Sequence, residues 1–350
     1  MRVLQLIDSL HPGGAERMAV TLANALHTKI EGSYICVTRE EGALKKELDV
    51  SIPYIFLEKK GKVAINALRR LRAFCIDNDI THVHAHGTSF FIATQLKMVL
   101  PKIKLVWHEH YGSRITSTGN QHKVLRFCSG YFDQIIAVTP ELKTWSEQHL
   151  KCSDVMYIPN FVDVSVYNSV NQRNNSIICV ANLKQPKNHL YLLKAFALLL
   201  EEFPKWELVL VGKIFNDTYY KMLKDFVAAN GLIEKVSFLG DKSDVKKELL
   251  SSKIGVLSSS YEGLPLALLE YGAAGLVPVT TDVGFCKDVI STFGKVAPLD
   301  DETSFKNLLK AYMLDDDKRQ DDAKRFKNHV LKKYSVAAVI PQFIELYKNN

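Results

Sequence analysis

The sequence lacks any hydrophobic run that approaches the roughly 20 residues needed to cross a bilayer. Its N-terminal segment, MRVLQLIDSL, combines charge with apolar residues, has no cleavage-like site and passes directly into Gly13 and Gly14. We therefore interpret this segment as a first strand rather than a signal peptide. Both observations predict a cytoplasmic protein.

Cysteine is also scarce. The six cysteines lie far apart, and none has the paired spacing that is typical of a zinc or redox site. We expect them to be reduced residues that serve packing. The dinucleotide-binding fingerprint Gly-x-Gly-x-x-Gly does not occur either, so nothing in the sequence indicates a nicotinamide or flavin enzyme.

What the chain does contain is an ordinary globular composition, with 350 residues, 47% hydrophobic and 24% charged. This length is typical of about two domains. Strand patterns alternate with helical ones, which predicts an α/β fold whose parallel sheets are covered on both faces. The predicted strands are 3–7, 33–37, 54–57, 81–85, 104–107, 134–138 and 155–158, then 177–180, 207–211, 236–239, 254–257, 277–280 and 295–297.

The stretch YEGLPLALLEYGAAG lies between the predicted strands 254–257 and 277–280. It places Glu262 in a loop and Glu270 in a short helix that Pro265 is predicted to open. Ligands of parallel sheets lie at the carboxyl ends of the strands, beside helix N-termini. A carboxylate there suits a ligand that presents hydroxyl donors, because it only accepts hydrogen bonds.

Glu262 and Glu270, with seven residues between them, resemble the Glu-x7-Glu signature of the family-4 retaining glycosyltransferases. In that family the first Glu lies near the transferred sugar, and the second accepts hydrogen bonds from the nucleotide ribose. The resemblance assigns Gly263, Leu264 and Pro265 to the same donor-binding segment.

The same resemblance implies the GT-B fold, in which two Rossmann-like parallel-sheet domains face a cleft. Residues 1–164, with a C-terminal helix at about 334–350, are expected to form the acceptor-binding domain. Residues 165–333 are expected to form the domain that binds the nucleotide sugar.

The segment VANLKQPKNH resembles the family's diphosphate-binding loop, with Lys187 at the family's Lys. Asn182 stands where the family usually has Arg, and Lys184 is our candidate to supply the missing charge. Gly212 resembles part of a VGxG loop, and Gly240 resembles a strand end that cradles the base. Fixed lysines would stabilise the charge that grows on the departing diphosphate. The alternative is a basic, solvated loop.

In the first half, Gly14 and Arg17 of HPGGAER resemble the family loop near the donor phosphate and the acceptor. His110 of KLVWHEHYG is the best match to a histidine that faces the transferred sugar, and His86 resembles part of an acceptor-side loop. The alternatives are a tight turn for the glycines and packing or surface roles for the histidines.

Two patterns raise the question of a metal. His82, His84 and His86 alternate along one strand, but an interior strand leaves a cramped site. The Asp-x-Asp at 77–79 lies at the wrong edge of the sheet for a ligand. We therefore predict no metal and no cofactor, only a UDP-, GDP- or ADP-sugar as donor.

The resemblance implies a retaining glycosyltransferase that moves a hexose or an N-acetylhexosamine to a lipid-linked glycan of the bacterial surface. Double displacement would need a carboxylate nucleophile, and no residue identifies itself as one. The resemblance favours same-face attack. The alternatives are a GT-B nucleotide-sugar epimerase and a non-catalytic nucleotide-sugar-binding or scaffold protein.

The formal net charge is +7, and cations concentrate in and before a predicted basic helix at 63–72. This pattern suits docking on the anionic inner face of a membrane, although a solvated helix face is the alternative. No recognition motif accompanies the charge, so we expect no nucleic acid partner. Several sugar donors, acceptors, linkages and oligomeric states are compatible with this sequence. The cations are Lys59, Lys60, Lys62, Arg69, Arg70 and Arg72.

Overall fold

The computed structural model describes residues 1–61, 64–115, 122–167 and 172–349, which fold as two compact units. Unit 1 is Met1–Phe161 with Val336–Asn350, and unit 2 is Val162–Ser335. The predicted boundaries at 164 and 334 lie within three residues of these bounds. Part of the polar stretch that follows the first boundary, 168–171, is outside the described residues, as are Lys62 and Val63.

Unit 1 is a sheet of seven parallel strands in the order β3-β2-β1-β4-β5-β6-β7. The strands are β1 (Arg2–Ser9), β2 (Gly32–Glu40), β3 (Tyr54–Phe56), β4 (His82–His86), β5 (Lys104–Glu109), β6 (Gln134–Ala137) and β7 (Val155–Tyr157). The helices are α1 (Gly14–His27), α2 (Ile65–Asp77), α3 (Phe90–Val99), α4 (Lys123–Cys128), α5 (Pro140–His149) and, from the end of the chain, α13 (Val336–Asn349).

Unit 2 is a sheet of six parallel strands in the order β10-β9-β8-β11-β12-β13. The strands are β8 (Ser176–Val180), β9 (Glu207–Val211), β10 (Val236–Phe238), β11 (Ile254–Leu257), β12 (Val277–Thr281) and β13 (Lys295–Ala297). The helices are α6 (His189–Leu200), α7 (Thr218–Ala229), α8 (Lys246–Ser251), α9 (Leu266–Ala274), α10 (Cys286–Ile290), α11 (Glu302–Leu314) and α12 (Asp316–Tyr334).

Burial on both faces of each sheet explains why the strands are almost continuously apolar. One core cluster of unit 1 contains Leu4, Leu6 and Trp107, and the core of unit 2 contains Phe196 and Phe305. All six cysteines are buried and unpaired, as predicted. No helix in the described ranges is both long and apolar enough to cross a bilayer.

Each sheet has one point where the strand order reverses, between β1 and β4 in unit 1 and between β8 and β11 in unit 2. Loops that leave such neighbouring strands in opposite directions open a crevice at their carboxyl ends, where ligands bind in open α/β sheets. The loops that follow β8 and β11 carry Lys187 and Glu262. The sheet order therefore brings together two segments that are remote in sequence.

Helix α9 differs slightly from its predicted start. Pro265 is the N-cap residue, with extended backbone, and the first helical residue is Leu266. The helix ends at Gly275, whose φ of 77° is the left-handed conformation that glycine tolerates best. Tyr271 anchors the helix to the sheet, since its hydroxyl accepts from Val180 N at 2.8 Å and donates to Val256 O at 3.0 Å.

Candidate active site

The candidate site of unit 2 centres on an ion pair between two loops. Lys187 Nζ lies 2.6 Å from Glu262 Oε1, and the hydroxyl of Ser259 donates to the same oxygen at 2.6 Å. The Glu262 side chain is only 8% exposed and that of Lys187 22% exposed. A partly buried pair of this kind is screened less by solvent than a surface pair, so each partner has a defined position.

Hydrogen bonds to backbone oxygens join the same two loops. The Ser258 hydroxyl donates to Lys187 O at 3.0 Å, and the Ser260 amide donates to Pro186 O at 2.9 Å. Lys187 ends a short 3-10 turn, and the residue after it, Asn188, has a left-handed φ of 48°. The position of the lysine is therefore set by backbone geometry and not only by its charged partner.

A third loop, which follows β12, packs against the backbone of Glu262. Gly284 has a φ of 51°, and a Cβ atom there would lie 2.1 Å from Glu262 O. The Phe285 amide donates to Gly263 O at 3.0 Å, and the Thr281 hydroxyl donates to Ser259 O at 2.5 Å. Only glycine permits this approach, so the VPVTTDVG segment shapes the loop that holds the acidic residue.

Glu270 lies on α9 and is 4% exposed, and Leu264 in the preceding loop is also buried. Gly263, Leu264 and Pro265 form the non-helical segment that leads into that helix. The two carboxylates of the motif thus lie on one loop-helix segment that starts at the carboxyl end of β11. An acceptor-only group at this edge is suited to hydroxyl donors.

Asn182 does not replace a missing positive charge. Its side-chain oxygen accepts from the Lys213 amide at 2.9 Å, and so links the loops that follow β8 and β9. Gly212 between them has a φ of 155°, and a Cβ atom there would lie 2.1 Å from Ala181 O. The Gly212 amide donates to Gly240 O at 2.9 Å. Lys184 is exposed.

In unit 1, Gly14 is the first residue of α1 and Gly13 its N-cap. Arg17 forms an ion pair with Glu47 at 3.2 Å, at a partly buried position. The predicted acceptor contact of Arg17 thus competes with an internal partner that the sequence did not reveal.

Four histidines of unit 1 form two hydrogen-bonded pairs. His86 Nδ1 lies 3.0 Å from His110 Nε2, and His84 Nε2 lies 3.1 Å from His108 Nδ1. His86 has no solvent exposure, whereas His110 is partly exposed just after β5. His86 therefore reaches the end of the sheet only through His110, and the predicted direct contact of His86 with an acceptor has no open surface here.

Burial is the largest cause of the pKa shifts in this cluster. It lowers the pKa of His110 to about 3, against an opposing effect of the Asn160 side chain. Burial also lowers the pKa values of His84, His86 and His108 well below the usual range of histidine. These rings are neutral at physiological pH, and each therefore carries one proton on one nitrogen.

Two family models match the sequence of this chain. A model described as glycosyl transferases group 1 matches residues 166–329, and one described as glycosyltransferase family 4 matches residues 12–166. The chain belongs to the family-4 glycosyltransferases. Its two Rossmann-like sheets are those of the GT-B fold.

This glycosyltransferase is 26% identical over 280 residues to an α-1,4-N-acetyl-D-galactosaminyltransferase of Campylobacter jejuni, covering 77% of this chain and 76% of that one. It is 24% identical over 349 residues to a UDP-Gal:α-D-GlcNAc-diphosphoundecaprenol α-1,3-galactosyltransferase of Escherichia coli, covering 89% and 87%. Among solved structures, Anabaena HepE in complex with UDP and glucose matches with a TM-score of 0.85 at 18% identity, covering 100% of both chains.

Possible metal ligands of the glycosyltransferase occur in the histidine cluster, where ligand atoms of His84, His86 and His108 lie within 4.8 Å of one another. Hydrogen bonds already occupy the nitrogens that face each other, so neutral rings account for the cluster as it stands. The Asp-x-Asp lies before β4, at the edge opposite the ligand end, and Asp79 pairs with Arg2 at 3.2 Å.

One cation of the predicted basic surface is buried, and another, Arg70, is exposed but held by hydrogen bonds to the backbone. Lys59 is 6% exposed, and burial lowers its pKa. The Arg70 guanidinium donates to Leu57 O at 3.3 Å and to Phe56 O at 2.8 Å, which ties α2 to β3. Arg69 and Arg72 remain on the exposed side of α2.

Sequence reasoning missed several residues that position the site. Ser259 and Gly284 hold Glu262, and Gln5 contacts the histidine pair through His86. The glycine could have been found, because it follows a predicted strand in a turn. The others are single polar residues whose partners depend on the three-dimensional arrangement.

Proposed function

We propose that the enzyme is a retaining, metal-independent transferase that moves a hexose or an N-acetylhexosamine from a nucleotide diphosphate sugar to a lipid-linked glycan. The observation that carries the proposal is the Lys187–Glu262 pair at the reversal point of the unit 2 sheet, with Glu270 on the following helix. Cation and carboxylates there are complementary to a diphosphate and to sugar and ribose hydroxyls. The predicted donor contacts of Gly14, Gly212 and Gly240 belong to the same proposal.

In the proposed reaction the acceptor oxygen forms a bond to the anomeric carbon while the bond from that carbon to the diphosphate breaks. The acceptor proton passes to the departing phosphate oxygen, on the same face of the sugar. Lys187 stabilises the negative charge that grows on the diphosphate, and Glu262 accepts from sugar hydroxyls once Lys187 turns to the phosphate. His110 contributes a hydrogen bond to the transferred sugar.

Donor and acceptor classes are supported by the relatives. The Campylobacter and Escherichia enzymes are named for acceptors linked through diphosphate to undecaprenol, and HepE is described with UDP and glucose. We infer a nucleotide-sugar donor and a lipid-linked acceptor for this enzyme, and a role in bacterial surface polysaccharide synthesis. Epimerase activity and a purely binding role are the alternatives.

One experiment separates these alternatives. The purified protein is incubated with UDP-, GDP- and ADP-sugars, with and without an undecaprenyl-diphosphate glycan acceptor and with EDTA throughout. Transfer that needs the acceptor, survives EDTA and keeps the anomeric configuration by NMR supports the proposal. Sugar interconversion without an acceptor indicates an epimerase, and no turnover of any donor would refute catalysis.

We further propose that unit 1 docks on an anionic membrane through the exposed surface of α2 and α4. On α4, Val124 and Phe127 are each 55% exposed, and each is next to an exposed cation, Lys123 or Arg126. Apolar groups flanked by cations suit a headgroup layer, where each cation contributes about 1 kcal/mol. Sedimentation with phosphatidylcholine vesicles, with and without phosphatidylglycerol, tests this. Binding that needs the anionic lipid and falls in Phe127→Ser, but not in the control Leu198→Ser, is expected; equal binding of all three proteins would refute it.

A further inference from the structure

The hydrogen-bonded pair of His86 and His110 continues to the side-chain amide of Gln5. Gln5 on β1 is fully buried, and its side-chain oxygen lies 2.8 Å from His86 Nε2. The other ring nitrogen of His86, Nδ1, lies 3.0 Å from His110 Nε2. Gln5, His86 and His110 thus form one line of hydrogen bonds from the interior of the sheet to its carboxyl edge.

Each proton along this line can be assigned to one of the two atoms that share it. An amide oxygen carries no hydrogen, so the proton it shares with His86 is on His86 Nε2. A neutral imidazole has only one N–H, so His86 Nδ1 is a bare acceptor. The proton between the two rings is therefore on His110 Nε2. By the same rule, Nδ1 of a neutral His110 carries a lone pair and no proton.

One observation at the outer end of the line shows which atom this order leaves for a ligand. His110 Nδ1 is buried and makes no hydrogen bond within the described part of the chain.

We propose that Gln5 is a positioning residue that acts through His86 to keep the His110 proton on Nε2, so that Nδ1 is presented as an acceptor to a ligand hydroxyl. The identification of the ligand as a sugar rests on the proposed function, whereas the assignment of the tautomer is independent of it. A buried, unpaired acceptor costs free energy until it is satisfied, so a hydroxyl donor that enters this position gains a full hydrogen bond.

The tautomer is measured directly by two-bond proton–nitrogen NMR of the full-length protein labelled with ¹⁵N-histidine. His86→Gln and His110→Gln identify the two sets of signals. We expect both rings to be neutral at pH 7 with the proton on Nε2. A proton on His110 Nδ1, donated towards the nearby Asn160, would mean that the line runs in the opposite direction and would overturn the proposal. This readout needs no enzymatic activity.

Gln5→Met removes the amide at similar volume, and Gln134→Met is the matched control. Gln134 is also a buried glutamine of the unit 1 sheet, but it donates to Asp154 at 2.8 Å. In Gln5→Met we expect His86 and His110 to populate both tautomers and kcat/KM for the sugar donor to fall about tenfold, with the Kd of the free nucleotide unchanged. Unchanged tautomers would refute the role of Gln5. A changed tautomer in a protein without transferase activity would refute only the proposed function.

Discussion

Lys187 Nζ lies 2.6 Å from Glu262 Oε1, although the two residues are 75 positions apart in the sequence. The reversal of strand order between β8 and β11 makes the two loops neighbours. Each residue is the other's counter-ion in this structure, and each is proposed to exchange that partner for a part of the donor. The pair therefore links the architecture of unit 2 to the chemistry proposed for it.

We predict that Lys187→Met lowers kcat by roughly 10²-fold or more, the scale seen when one preorganised donor to a developing negative charge is removed. The free nucleotide should bind with a smaller loss, because the charge on the diphosphate is greatest after the sugar departs. Steady-state kinetics and calorimetry on the same samples check this. Lys194→Met, which removes an exposed lysine paired with Glu302 at 3.3 Å, is the control and should be active. Equal activity of the two variants would contradict the role of Lys187.

Gly284→Ala should lower both the stability of unit 2 and the activity of the enzyme. A Cβ atom there would lie 2.1 Å from Glu262 O, so the loop that holds Glu262 must move. Gly231→Ala is the control, because its φ of 65° is also left-handed but nothing lies within 4 Å of the added atom. The control should lose roughly 1–2 kcal/mol of unfolding free energy and keep its activity. Gly284→Ala should lose more, and its kcat should fall; a normal kcat would show that the contact is unimportant.

Tyr271→Phe should destabilise unit 2 by about 1–3 kcal/mol, because two buried backbone groups, Val180 N and Val256 O, lose their partner. The matched variant is Tyr191→Phe. The Tyr191 hydroxyl is buried without a hydrogen-bond partner in the described chain, so its removal should be neutral or stabilising. Urea unfolding of both variants measures the difference. A larger loss in Tyr191→Phe than in Tyr271→Phe would reverse the expected order.

Acid should destabilise unit 1. Burial lowers the pKa of five unit 1 histidines, to about 4 in His82 and about 3 in His110. The unfolded chain binds protons near pH 6.5 while the folded unit does not, so stability is present above that pH and falls as the pH drops below it. Each such histidine contributes a slope of about 1.4 kcal/mol per pH unit. The five are His82, His84, His86, His108 and His110.

The test uses Trp206→Phe, which leaves Trp107 and Trp145 of unit 1 as the fluorescent reporters. The urea midpoint of unit 1 should fall between pH 7.5 and pH 5.5. His82→Gln should reduce that dependence by about one proton. A midpoint that is constant over this range would show that the histidines are not held neutral.

The fold was largely predictable because buried parallel strands are marked by their own composition. All 13 predicted strands occur, for example 254–257 as Ile254–Leu257 and 207–211 as Glu207–Val211. Strand order was not predictable from the residues, because it depends on which crossovers cover which face. Helix starts were less exact, since Pro265 serves as an N-cap and not as the first helical residue.

For the candidate site, the motifs predicted where in the fold a residue lies better than they predicted which residue it contacts. Glu262 and Lys187 lie at the predicted sheet edge, but nothing in the sequence indicated that they pair with each other. Asn182 stands where the family usually has Arg, and nothing in the sequence indicated that its amide links two loops. Lys59 was expected on a basic surface, yet it is buried. Each of these depends on a contact between segments far apart in sequence.

The central claim is that the Glu-x7-Glu segment of unit 2 holds a nucleotide sugar. Isothermal calorimetry with UDP, GDP and ADP, on the wild type and on Glu270→Gln, tests it most directly, with the exposed Glu207→Gln as the control. We predict that one nucleotide binds the wild type and the control equally, and that it binds Glu270→Gln more weakly by about 1.5–3 kcal/mol, the contribution of hydrogen bonds to a charged group. Equal affinity of all three proteins for that nucleotide, or no binding of any nucleotide, would contradict the account.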